Sequence, residues 1–150
     1  MNATPSKINT FLLFKLPSAY FTGVRVKSIF EDRCTTTVKH RWINQNPFNS
    51  IFWAIQGMAA ELSTGALVMS KIKGSNRSIS MLVANNKATF TKKAQGRVEF
   101  LCTQGDLISK AINKTIETGE GQTVWVTSEG RDSAGDLVST FEFQWTLKLR

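Results

Sequence analysis

One carboxylate stands alone in the longest apolar stretch of this 150-residue chain. Between positions 48 and 70 the only ionisable residue is Glu61, set among Ile51, Ile55, Met58, Leu62 and Met69. A charge in such company is costly unless something compensates it, so an acid kept there is the strongest lead to chemistry. At about 100° per residue, Ile51, Ile55, Met58 and Leu62 fall on one helical stripe. Glu61 falls beside it, on a strip of small residues that includes Ser50, Ala54, Gly57 and Gly65. Glycine inside a helix costs about 1 kcal/mol relative to alanine. Gly57 and Gly65 therefore call for a close neighbour, either another backbone or a ligand approaching the carboxylate.

The start of the same helix offers a second kind of chemistry. Its first N–H groups have no partner within the helix and carry partial positive charge, which suits a carbonyl oxygen turning into an oxyanion. Trp53 lies at that end. Trp53 and Glu61 are eight positions apart, about 12 Å along a helix axis, so one helix does not present both to the same carbonyl. Two antiparallel copies, side by side, would do so, each lending its N-terminus to the other's acid. A catalytic Glu61 therefore implies at least a dimer with the site at the interface.

The rest of the composition narrows the classes. A length of 150 residues with 41% hydrophobic content describes an ordinary folded domain. Cys34, Cys102 and a single His40 are too few for a disulfide scaffold or a zinc cage, so no metal or cofactor is expected and both cysteines read as buried hydrophobes in a reducing, cytoplasmic setting. The apolar patch at 11–14 lacks the features of a secretory signal. The stretch from 48 to 70 carries too many polar residues for a membrane span, so no membrane partner is expected. The net charge of +8, from 19 basic and 11 acidic residues, favours an anionic partner. Lys71, Lys73 and Arg77 form the densest basic group, but no recognised nucleic-acid motif accompanies them, and no nucleic acid is expected.

Several elements must position these groups. A helix is expected over residues 5–16, closed by Pro17, and strands over 24–30 and 34–42. Asn46-Pro47 punctuates the start of the long helix, with its body beginning nearer Ser50 and ending at Gly74 and Ser75. Strands follow at 79–83, 88–93 and 97–102, and then a helix at 106–117 opened by Asp106 and stopped by Gly119. Strands at 123–128 and 137–149 finish the chain, the last one alternating Phe141, Phe143, Trp145, Leu147 and Leu149. Short connections imply antiparallel pairing. The expected class is α+β, one apolar helix against five or six strands, forming a single domain over 1–150 with a helical extension at 1–20.

On these residues the chain resembles the hotdog fold, and residues 46–65 resemble its acyl-CoA thioesterase branch. Within this branch, which takes in phenylacetyl-CoA and 4-hydroxybenzoyl-CoA thioesterase-like members, the phenylacetyl-CoA type carries N-x-x-G-x-x-H-G-G and an acid nine positions after the histidine. Asn46 matches the asparagine, Asn49 replaces the first glycine, and Phe52 stands at the histidine. Trp53 falls where a glycine donates its backbone N–H, and Glu61 falls on the acid. Downstream, residues 90–96 (FTKKAQG) resemble the family's entry into the next strand. The likeness covers 23–150 and is nearest to an uncharacterised, bacterial-looking subgroup.

The resemblance implies an acyl-CoA or acyl-carrier thioester as substrate and a homodimer, with a tetramer as the alternative assembly. Glu61 would activate water or attack the thioester, Trp53 would hold the oxyanion, and Asn46 would orient water or substrate. Phe48, Asn49, Phe52 and Gly57 would border the substrate, and Lys93 and Arg97, with Lys92, would face the phosphates of coenzyme A. Each has a plainer reading: a structural carboxylate, a helix cap, core aromatics, a solvated strand edge. A non-catalytic acyl-CoA- or acyl-carrier-binding protein is the rival function, given Phe52 and Trp53 in the motif. A hotdog dehydratase would need a histidine paired with the acid, and His40 lies upstream of the loop where it is expected.

Overall fold

The computed structural model describes residues 3–150. The first two positions of the expected domain and of its N-terminal extension lie outside the described residues. Helix α1 (Pro5–Lys15) is capped by Thr4, whose hydroxyl accepts from the Lys7 N–H, and α2 (Pro17–Phe21) follows at once because Pro17 cannot continue α1. Strands β1 (Arg25–Ile29) and β2 (Cys34–Lys39) form a hairpin. A single 3-10 turn at Trp42–Asn44 leads to the long helix α3 (Trp53–Gly74). Then come β3 (Ile79–Phe90), β4 (Arg97–Cys102), α4 (Gly105–Thr118), β5 (Gln122–Asp132) and β6 (Leu137–Leu149). The six strands make one antiparallel sheet in the order β1-β2-β4-β5-β6-β3, which packs against α3. This is the α+β hotdog architecture expected from the sequence.

Several boundaries differ from expectation. The 79–83 and 88–93 segments are one strand, because the Asn85-Asn86 pair does not break it. A bulge between Val83 and Asn85 absorbs the change of register, and the Asn85 amide donates to Gln144 Oε1 across the ladder at 2.7 Å. The long helix starts at Trp53, several residues after Asn46-Pro47. Asn46 instead closes its own short loop: its Oδ1 accepts from the N–H groups of Phe48 and Ser50, at 2.9 and 3.2 Å. A side chain satisfied three residues before Asn49 turns into the left-handed region (φ 59°) has no helix to cap. At the other helix, Gly105 rather than Asp106 opens α4, and the position admits only glycine, because a Cβ there would lie 2.6 Å from the Glu31 carbonyl oxygen.

The helix is bonded to the sheet as well as packed on it. Ala59, Ala60, Leu67 and Val68 are fully buried against inward residues such as Phe100, Val126 and Leu147. Among them, the Ser63 and Ser128 hydroxyls share a hydrogen bond of 2.7 Å. Ser139 donates to Gln56 Oε1 at 2.8 Å, the Trp145 indole to Thr64 Oγ1 at 3.0 Å, and Thr36 to the Ala59 carbonyl at 2.6 Å. Buried polar groups are tolerated in this way only when paired.

The two sheet edges differ. Along β1, Asn9 of α1 bonds the edge backbone in both directions, donating to the Val26 carbonyl at 3.0 Å and accepting from its N–H at 2.8 Å. Along β3, no described strand pairs with the outer side, and residues 84–90 are all exposed. One edge is covered and the other is open.

Ser63→Ala should lower stability by about 1–3 kcal/mol in urea denaturation, because it leaves the Ser128 hydroxyl buried without its partner. The Ser63→Ala, Ser128→Ala double variant should recover part of that loss; a purely additive result would show that the bond does not matter.

Candidate functional site

Glu61 lies midway along α3, part-buried, on the side turned towards the N-terminal helices. It lines a mostly apolar cavity of about 220 Å³ with Ile8, Phe11, Leu16, Met69 and Trp145, and a second of about 280 Å³ bordered by Leu12, Leu16 and Met58. The small-residue strip has the expected use at Gly65. A Cβ there would lie 3.2 Å from Trp145 Cζ2 and 3.5 Å from Glu61 Oε1, so the indole and the carboxylate both crowd this point of the helix. Gly57 faces the Phe141 ring, 3.5 Å from where its Cβ would be.

The Glu61 carboxylate has neither a hydrogen bond nor an ion pair among the described residues, although Lys7 and Lys73 line the same cavity; the indole and the hydroxyl beside it are committed elsewhere. Trp145 gives its N–H to Thr64, and the Thr64 hydroxyl donates to the Glu61 backbone carbonyl at 2.9 Å. Burial is the cause that holds this carboxyl above the ordinary carboxylate range. An acid that folding has desolvated and left without a partner holds a proton readily and, once ionised, takes one readily from a bound molecule.

The start of α3 is a separate constellation. Phe52 precedes the helix without a side-chain cap, and the first turn has no acidic residue. The Trp53 and Ala54 N–H groups have no acceptor among the described residues. Phe52 and Trp53 stack edge to face, with ring centroids 6.0 Å apart, and both are exposed. The loop before them is fixed by the Ile51 N–H to the Ala94 carbonyl and the Phe52 N–H to the Asn44 carbonyl, at 2.8 and 2.9 Å. The structure thus gathers Asn46, Phe48, Asn49, Phe52 and Trp53 at one tip. Lys93 reaches the Phe48 carbonyl there at 3.5 Å.

Other expected site residues lie apart. Arg97 donates to Thr37 Oγ1 at 3.0 Å on the sheet. Lys92 is held between Asp132 and Asp136, at 2.6 and 2.8 Å, and is not free to meet a phosphate. His40 sits just beyond β2. Cys34 and Cys102 are buried register partners across β2 and β4, and burial, with Cys102 beside it, pushes the Cys34 thiol up to about 12. Sequence reasoning missed the contribution of Phe11 and Leu16 to the Glu61 cavity, because nothing in their spacing ties the N-terminal helices to the middle of α3.

The model of a protein family described as a domain of unknown function (DUF4442) matches residues 6–147. No curated protein sequence matches the chain. Solved structures match over nearly its whole length. A Pseudomonas aeruginosa protein called a probable thioesterase superposes with a TM-score of 0.83 at 16% identity, covering 99% of both chains. A Chlorobaculum tepidum protein of unknown function gives 0.82 at 16%, covering 98% of both. A Haemophilus influenzae thioesterase gives 0.73 at 13%, covering 99% of this chain and 93% of its own. At such identities the likeness is one of fold.

The raised affinity of Glu61 for its proton has a thermodynamic signature. The folded state binds that proton more tightly than the unfolded chain. Stability is therefore greatest below the ordinary carboxylate range, falls as pH rises through it to the raised value, and stays lower above. Glu61→Gln should remove this dependence and be at least as stable as the wild type at neutral pH. Urea denaturation across the pH range would test it, and a less stable variant at neutral pH would mean that the carboxylate has a structural partner.

Proposed function

We propose that this chain, which belongs to the DUF4442 family, hydrolyses an acyl thioester of coenzyme A or of an acyl carrier, with Glu61 as general base. The observation that carries this reading is the partnerless Glu61 carboxylate, desolvated by burial and lining an apolar cavity beside Trp145. The names of its fold neighbours from Pseudomonas aeruginosa and Haemophilus influenzae point the same way.

In this reaction Glu61 takes a proton from water as the water oxygen attacks the thioester carbon. The carbonyl oxygen becomes an oxyanion held by the Trp53 N–H of a second copy. Collapse breaks the carbon–sulfur bond, and the proton on Glu61 goes to the departing thiolate. Asn46 keeps the loop shaped around the substrate entrance, and Phe48, Asn49 and Phe52 border it; Gly57, which the sequence suggested for the substrate, instead packs on the Phe141 ring. Lys93, at the helix tip, meets the negative charge of the carrier.

The second copy follows from the helix geometry. Trp53 and Glu61 stand about 12 Å apart on one axis, so the acid and the amide donor for one carbonyl come from two chains. The open β3 edge supports this homodimer: Leu82 is 67% exposed and Phe90 48%. Antiparallel pairing of β3 with its copy continues the sheet.

Glu61→Gln should lower turnover of an acyl-CoA panel by about 10²–10⁴-fold, as for loss of a general base. Wild-type turnover should rise with pH until Glu61 is ionised. A panel that binds without being hydrolysed would favour the acyl-binding reading, for which the observation is the Phe52–Trp53 stack at the helix tip.

Leu82→Lys changes an exposed residue far from the core. It should yield a monomer in sedimentation velocity and reduce turnover by about 10²–10³-fold, the range for a lost oxyanion donor. Full activity in a monomer would remove the two-chain site.

A further inference from the structure

Up to position 30 the chain carries Lys7, Lys15, Arg25 and Lys27 and no acidic residue, together with four phenylalanines. The fold turns part of this segment outwards. Leu12 is fully buried against the core, and on the opposite side of α1 Lys7, Phe11 and Phe14 follow one another at helical spacing. Phe14 is 73% exposed and Phe21, in α2, 62%. Two of the basic groups are occupied: Arg25 lies over the Tyr20 ring and Lys27 pairs with Glu99. Lys7 and Lys15 have no carboxylate partner among the described residues, nor has Lys73, which lines the same cavity as Lys7.

We propose that the α1–α2 corner docks on the surface of an anionic lipid bilayer, with Phe14 and Phe21 entering the acyl boundary and Lys7, Lys15 and Lys73 meeting lipid phosphates. Exposed aromatic rings beside unpaired ammonium groups are the makings of a segment that lies on a membrane. No helix among the described residues is long and apolar enough to cross one. A second copy is the poorer occupant. A two-fold contact sets the same patch against itself, bringing lysines to lysines with no acid from this segment to offset them. The β3 edge already offers a copy an open strand to pair with.

Position gives the docking a purpose. Phe11, Leu16, Lys7 and Lys73 line the cavity that holds Glu61, so the face that meets lipid is also its rim. An acyl chain leaving the bilayer would reach the carboxylate without crossing water. This last step rests on the thioesterase reading; the docking does not.

Co-sedimentation of the full chain with phosphatidylcholine vesicles, with and without phosphatidylglycerol, tests the docking. The chain should pellet with the anionic vesicles and be released by high salt. Lys7→Gln with Lys15→Gln should weaken partitioning about fivefold per lysine. Phe14→Ser with Phe21→Ser should weaken it about tenfold per ring, with an unchanged circular dichroism spectrum. Glu61→Gln should pellet like the wild type. Absence of pelleting overturns the proposal, as does pelleting that both double variants leave intact. Loss of an oligomer in the phenylalanine variant, without wild-type vesicle binding, would assign the face to a second copy and overturn it too. Wild-type pelleting without turnover would sink the thioesterase reading alone.

Discussion

Gln56, Ser63, Thr64 and the Ala59 carbonyl of α3 take their hydrogen-bond partners from Ser139, Ser128, Trp145 and Thr36, on three different strands. Apolar packing alone would let a helix of small and branched residues rotate about its axis with little penalty, since burial has no direction. These bonds have direction, and breaking any one would leave a buried polar atom unpaired. They therefore set which side of α3 faces the sheet. The side left over carries Glu61, Gly65 and Met69, and is covered instead by the N-terminal helices and the Trp145 ring. The chemistry of the acid is a consequence of this rotational lock.

The same lock explains why Glu61 is poorly solvated yet unpaired. Trp145 borders the same cavity, and its N–H is committed to Thr64. Had the indole turned to the carboxylate, the acid would gain a donor and lose its readiness to take a proton. At the other end of α3, the Phe52–Trp53 tip is held by backbone bonds from Asn44 and Ala94, which leaves the first N–H groups of the helix uncommitted. Acid and amide are each kept free by satisfying their surroundings.

Much of this was legible in the residues. Period-two alternation in 137–149 matches β6, whose Phe141, Phe143, Trp145 and Leu147 are buried. Of the expected helical stripe, Ile55 and Leu62 are buried on α3 and Met58 is part-buried, whereas Ile51, though buried, lies in the loop before the helix and bridges Gln45. Less legible were the places where a side chain chose an unusual partner. Asn85 looks like a strand breaker but pairs with Gln144 over a bulge, and Asn46 looks like a helix cap but closes a loop. Ser63, Thr64 and Gln56 spoke in the sequence only against a membrane span; their use depends on residues about 65 to 83 positions away.

By itself the sequence determined the antiparallel sheet with its single long helix, and singled out the lone acid on that helix, because periodicity and charge in apolar surroundings are local properties. Tertiary structure alone decided the rest. It placed Asn9 over one sheet edge and left the other open, brought Phe11 and Leu16 to the mouth of the Glu61 cavity, and drew Lys92 into a pair of aspartates. Each of these joins residues far apart in the chain, and only the packing of one element on another decides which of many such partners a side chain meets.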